Sequence, residues 1–127
     1  MQSTEEVEAL EKIIGQLQGA HSELSQLAKK SPGDSVNEFK LRLVNKIIEN
    51  ANDVLGDGYK PFDDFEIFDK DDIPTNSDVT LVLSQYMEQA ERYRSDNVIY
   101  NGGAWWYQVN GQKSDIRSGP PSKVGRK

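Results

Sequence analysis

The first third of the chain carries a ladder of core-type positions, Val7, Leu10, Ile14, Leu17, His21, Leu24 and Ala28, spaced alternately three and four residues apart. This is the heptad spacing of a coiled coil, with His21 on an a-type site. Ile13, Ala20 and Leu27 form a second line beside it. The stripe is wider than a two-stranded seam needs, so it predicts a helix in a helical bundle or a folded-back pair. Ser3 and Glu6 have the form of a capping box at its start. Gly15 and Gly19 each cost a helix about 1 kcal/mol relative to Ala, so this one depends on a packing partner.

Ser31-Pro32-Gly33 ends that helix, and Ser35 with Glu38 offers a second capping box. The next helix is predicted from Val36 to Leu55, closed by Gly56. Its apolar residues, including Phe39, Leu41, Leu43, Val44, Ile47, Ile48 and Ala51, cover well over half its circumference, which predicts the most buried helix of the chain. From Asp57 to Asn76 seven acids stand against two lysines, with Tyr59, Phe62, Phe65, Ile67 and Phe68 among them. Disordered segments carry few such side chains, so this connection is predicted to wrap the core and drop its aromatics into it. Thr75 and Ser77 compete to cap a third helix over 77–95, with Val79, Val82, Leu83, Tyr86, Ala90 and Tyr93 inward.

After Asp96 the period changes. Residues 104–117 read AWWYQV, then Asn110-Gly111, then QKSDIR, which is a hairpin signal with a type I′ turn. Val109 then faces Gln112, Tyr107 faces Ser114 and Trp105 faces Ile116 on the inward side. The outward side pairs Gln108 with Lys113, Trp106 with Asp115 and Ala104 with Arg117. The fold class is therefore α+β, mainly α: an antiparallel helical hairpin plus a third helix, an acidic connecting segment and a C-terminal β-hairpin. Residues 1–117 form the expected domain. Residues 118–127, SGPPSKVGRK, hold three basic side chains and no acid, and are expected to be a flexible tail.

With 127 residues, 35% of them hydrophobic, the chain supports one core and hardly two. Its net charge of −6 argues against direct nucleic-acid binding by counterion release. The absence of cysteine removes disulfides, thiolate metal sites and a cysteine nucleophile, and the single histidine makes multi-His chemistry improbable. No membrane span or signal peptide is written in the sequence, so a cytoplasmic protein is expected. The acids Asp69, Asp71 and Asp72 invite a divalent cation, but EF-hand spacing fails, with Pro74 where glycine is obligatory and Thr80 where the bidentate acid belongs. No metal and no cofactor is therefore assigned. Phosphate-loop, dinucleotide and hydrolase-elbow motifs are missing too, which leaves an enzyme the least supported class.

The candidate site lies toward the C-terminus. Trp106 on the outward hairpin face, with Arg117 diagonal to it and Lys113 nearby, makes an aromatic and cationic patch of the kind found at interface hot spots. Asn101, Gly102 and Gly103 add a loop with accessible amides, and Lys123 a further cation. The expected function is a non-enzymatic, self-associating acidic binding protein, an adaptor or inhibitor of a macromolecular partner that uses this hairpin and the acidic segment. An alternative is an oligomer holding a nucleotide or other phosphate-bearing ligand between subunits with Trp106, Arg117, Lys123 and the loop of Asn101, Gly102 and Gly103. A third reading has Asp63, Asp64, Asp69, Asp71 and Asp72 mimic nucleic acid. Self-association is assigned to the ladder Val7, Leu10, Ile14, Leu17, His21 and Leu24, giving a dimer or higher oligomer.

Overall fold

A computed structural model of the chain describes residues 1–123. Three helices, α1 (Thr4–Lys30), α2 (Glu38–Tyr59) and α3 (Asn76–Ser95), precede a meander of three strands, β1 (Val98–Asn101), β2 (Ala104–Val109) and β3 (Gln112–Ser118). The fold is thus α+β and mainly α, with an antiparallel sheet in the order β1-β2-β3. The terminal strand pair is the expected hairpin. β1 is an addition that the helical and hairpin patterns do not announce.

The ladder on α1 closes inside one chain. Val7, Leu10, Ile13, Leu17 and Leu24 are at most 2% exposed, and α1 packs chiefly against α3 and then α2. The wide stripe explains this, because two neighbouring helices need two adjoining lines of apolar residues. Self-association through Val7, Leu10, Leu17 and Leu24 is therefore corrected: the single chain leaves them no surface to offer a second copy. Ile14 and His21 remain half-buried on the α3 side.

The helix ends follow local chemistry. Ser3 Oγ accepts from the Glu6 N–H at 3.1 Å, while the Glu6 carboxylate accepts from Gln2 N–H, one residue earlier than a full capping box requires. Asn37, not Ser35, caps α2 by accepting from Lys40 N–H at 2.8 Å. Gly56 has φ +64° and interrupts the helical path near its predicted end, with one further turn reaching Tyr59. Thr75 prevails over Ser77 on α3 and forms a reciprocal capping box with Asp78.

Burial of α2 is one-sided rather than all-round, because Phe39 is 60% and Leu43 47% exposed beside the α1–α2 groove. Its other side holds the acidic connection. Asn45 exchanges two hydrogen bonds of 2.9 Å with the backbone of Phe68, and Asn52 donates to the Glu66 carbonyl at 3.0 Å. These asparagines lie one heptad apart, so a single helix face grips an extended segment at two points. Phe62, Phe65 and Phe68 pack edge to face in sequence and Phe62 meets Tyr86, as the aromatic content predicts. Tyr86 is fully buried, and burial pushes its hydroxyl up to about 12.

Replacing Leu17 with Ala is expected to cost about 2–5 kcal/mol of stability by urea titration, the range for emptying a closed core site. An unchanged urea midpoint would show that α1 does not pack within the chain.

Candidate functional site

Tyr107 fixes which way the sheet faces. It is fully buried at the centre of β2, and its hydroxyl donates to Glu11 of α1. Burial and this carboxylate partner both raise the tyrosine pKa, so the ring stays neutral in its seat. Val109, Val98 and Ile116 pack on the same core. Strand alternation then turns Trp106 outward, as its sequence position predicts.

The pairing around Trp106 departs from a plain hairpin. Val109 faces Gln112 and Gln108 faces Lys113, as expected, but Trp106 faces Arg117 and Trp105 faces Ser118. One β2 residue, Tyr107, therefore stands opposite three of β3, residues 114–116. The expected pairs Trp106–Asp115 and Trp105–Ile116 are displaced by this bulge. A shift of two residues keeps every side chain on its predicted face, because strand alternation has period two. Ile116 N–H turns to Ser114 Oγ at 3.1 Å within the bulge.

The consequence is that two cations of β3 lie over the ring of Trp106. Lys113 Nζ lies 4.1 Å from its ring centroid and the Arg117 guanidinium carbon 5.3 Å, which brings Arg117 opposite the ring instead of diagonal to it. Trp106 Nε1 donates to the Asn101 carbonyl at 3.0 Å, which orients the indole. Lys113 donates to the Ser114 carbonyl, and among the described residues no carboxylate pairs with Lys113 or Arg117. Both cations are exposed on a chain of net charge −6. Ile99 of β1 faces Trp106 from the other side and completes the patch.

Other candidates fall elsewhere. Gly102 and Gly103, with φ of +61° and +84°, are the two-residue turn between β1 and β2, closed by the pair Asn101–Ala104. Their freedom serves the turn, and only the Asn101 carbonyl touches the patch. Lys123 leaves the patch altogether, pairing with Glu88 of α3 at 3.0 Å. It lines a groove of about 450 Å³ between α1 and α3 together with Ile14, His21, Met87 and Glu91. Asp69 caps a 3-10 turn by accepting from Asp71 N–H, while Asp63, Asp64, Asp71 and Asp72 are exposed. No group of three or more His, Asp or Glu side chains suited to a metal forms among the described residues. No described helix is long and apolar enough to cross a membrane.

As far as residue 123 the tail is hydrogen-bonded to α3. Arg94 donates to Ser118 Oγ at 2.7 Å and to the carbonyls of Gly119 and Pro120 at 3.0 and 2.8 Å. Ser95 Oγ accepts from the N–H groups of Ser122 and Lys123, and Ser122 Oγ donates to Glu91. Residues 118–123 are thus strapped to α3 largely by backbone carbonyls and N–H groups that composition alone does not reveal. The part of the flexible-tail expectation at 124–127 lies outside the described residues.

The sequence itself held the missed signal for β1. Val98-Ile99-Tyr100 is β-branched and aromatic, and Gly102-Gly103 is a two-residue hairpin turn of the same kind as Asn110-Gly111. The bulge has no such signature. Compared with known proteins, the chain matches no protein-family model, no curated sequence and no solved structure.

The Arg94 hydrogen bond beside Glu91 holds that carboxyl below its ordinary range, against the opposing effect of burial. A depressed folded-state pKa stabilises the protein above the unfolded value and is lost as pH falls through the folded value. Wild type is expected to exceed Glu91→Gln in stability at neutral pH. That difference should shrink as pH drops below the ordinary glutamate range near ~4.3, checked by urea titrations across pH. A gap that persists well into acid would assign it to packing instead.

Proposed function

We propose that this chain is a non-enzymatic binding protein, an adaptor or inhibitor, whose outward sheet face takes an acidic segment of a partner protein. One observation carries the reading: Lys113 and Arg117, two exposed cations with which no described carboxylate forms an ion pair, both lie over the ring of Trp106. On an acidic chain such a face attracts an acidic partner while the rest of the surface repels it, which favours orientation and specificity. The indole adds a rigid aromatic anchor that loses little entropy on contact.

The same geometry weighs against the nucleotide alternative. The cations already stand over the ring on which a base would stack, Lys123 is engaged with Glu88, and the Gly102-Gly103 backbone is occupied by its turn. None of the grooves described between helices is lined by Trp106, whereas small-ligand sites are concave.

In a Trp105→Phe background Trp106 is the sole tryptophan, so its fluorescence reports on the face directly. Titration with a short poly-glutamate peptide is expected to change that emission saturably and to weaken with added salt. The double change Lys113→Glu with Arg117→Glu should lower the affinity at least about tenfold, with the fold retained by circular dichroism. An affinity unmoved by charge reversal would overturn the assignment. Binding of ADP in place of the peptide would restore the nucleotide reading.

A further inference from the structure

The sheet has two edges, and they are built differently. On β3 the outward strand carries Lys113, Asp115 and Arg117, and its ladder is broken by the bulge. Charge and irregularity are the usual means of keeping an edge from pairing with another chain. On β1 the residues are Val98, Ile99, Tyr100 and Asn101, with no charge and no proline, in unbroken register with β2. Tyr100 stands 59% exposed on this edge.

The phase of the ladder shows which backbone groups are open. Gln108 N–H donates to the Asn97 carbonyl at 2.9 Å, and the two-residue turn closes on Asn101–Ala104. Residues 97, 99 and 101 therefore direct their backbone groups to β2, and Val98 and Tyr100 direct theirs away from it. Among the described residues no hydrogen bond to those outward groups is formed outside the sheet ladder.

We propose that this open edge of β1 pairs with the same edge of a second copy of the chain, antiparallel about a two-fold axis at Ile99. The occupant follows from self-complementarity. Antiparallel pairing through Val98 and Tyr100 sets Val98 opposite Tyr100 of the second copy and the reverse, twice over, with Ile99 opposite Ile99 on the axis. Aromatic against β-branched is a favoured cross-strand pair, and no like charges meet. The two three-stranded sheets become one continuous sheet. Ile99 shares the face of Trp106, so the two Trp106 patches come to lie on the same side of it. Self-association thereby moves from the α1 ladder, which the core consumes, to a strand that the helical pattern does not reveal.

The chain contains no cysteine, so single-cysteine variants report the register without background. Non-hydrogen-bonded antiparallel partners have Cα atoms about 4.5 Å apart, within disulfide reach. Under mild oxidation Ile99→Cys is expected to give a covalent dimer of twice 14.3 kDa, whereas Tyr100→Cys and Lys113→Cys stay largely monomeric. Sedimentation of the uncross-linked protein should show the same dimer. Tyr100→Pro, which removes only an outward N–H and obstructs the edge, should weaken it about tenfold or more. A chain that remains monomeric up to about 1 mM overturns the proposal. So does a dimer indifferent to Tyr100→Pro, or Tyr100→Cys cross-linking as fast as Ile99→Cys. If Tyr100→Pro fails to fold, the cysteine pattern alone decides.

Discussion

The seating of one side chain, Tyr107, governs how the sheet faces the helices. Its fully buried ring and its hydroxyl bond to Glu11 fix β2 against α1, and a residue so held cannot rotate to the other face. Once Tyr107 points in, Trp106 must point out, since successive strand residues alternate. The bulge also sits opposite Tyr107, and it advances β3 by two residues so that Arg117 reaches Trp106. The face of Trp106 and its two cations is thus the reverse side of a core contact. The same alternation assigns the backbone groups of residues 104, 106 and 108 to β1, and thereby leaves Val98 and Tyr100 with theirs directed outward.

Helices and hairpin were legible in the sequence because each repeats a period long enough to be counted. Eleven or more residues at helical spacing, or alternation around an Asn-Gly turn, reflect burial on one face, and burial is what periodicity records. Partner identity is not recorded. The α1 ladder reads the same whether its neighbour is another chain or α3, and only the breadth of the stripe, through Ile13, Ala20 and Leu27, favours two neighbours over one. At the site, Trp106, Lys113 and Arg117 came from alternation and therefore from a property that the two-residue bulge preserves. Lys123 came from proximity in sequence, which a chain reversal cancels. The backbone carbonyls that recruit Arg94 carry no trace in residue type, so the strap over 118–123 was illegible.

The acidic connection divides its labour between two sets of residues. Aromatic side chains enter the core, and Asn45 and Asn52 satisfy the backbone between them, so the segment is anchored without regular structure of its own. Asp63, Asp64, Asp71 and Asp72 are then exposed. These acids contribute to the chain's negative charge, while Lys113 and Arg117 place two cations over Trp106 on the sheet. The local charge of a face, not the chain's average, is what the proposed acidic partner would meet.

The two proposed contacts draw on different groups of the same sheet, which is why they need not compete. Side chains of the outward face would serve the proposed acidic partner; main-chain groups at the β1 edge would serve the second copy. Pairing at the edge leaves Lys113 and Arg117 untouched, because both lie on β3, with β2 between them and the edge. It places the two cationic patches in one surface at a fixed separation. Two weak contacts to a single acidic chain would then act as one stronger contact, since the second forms at the effective concentration set by the first. For a face built from one indole and two surface cations, where each exposed charge contact alone contributes only about 0.2–1 kcal/mol, duplication across a two-fold axis is the physical route by which modest chemistry reaches useful affinity.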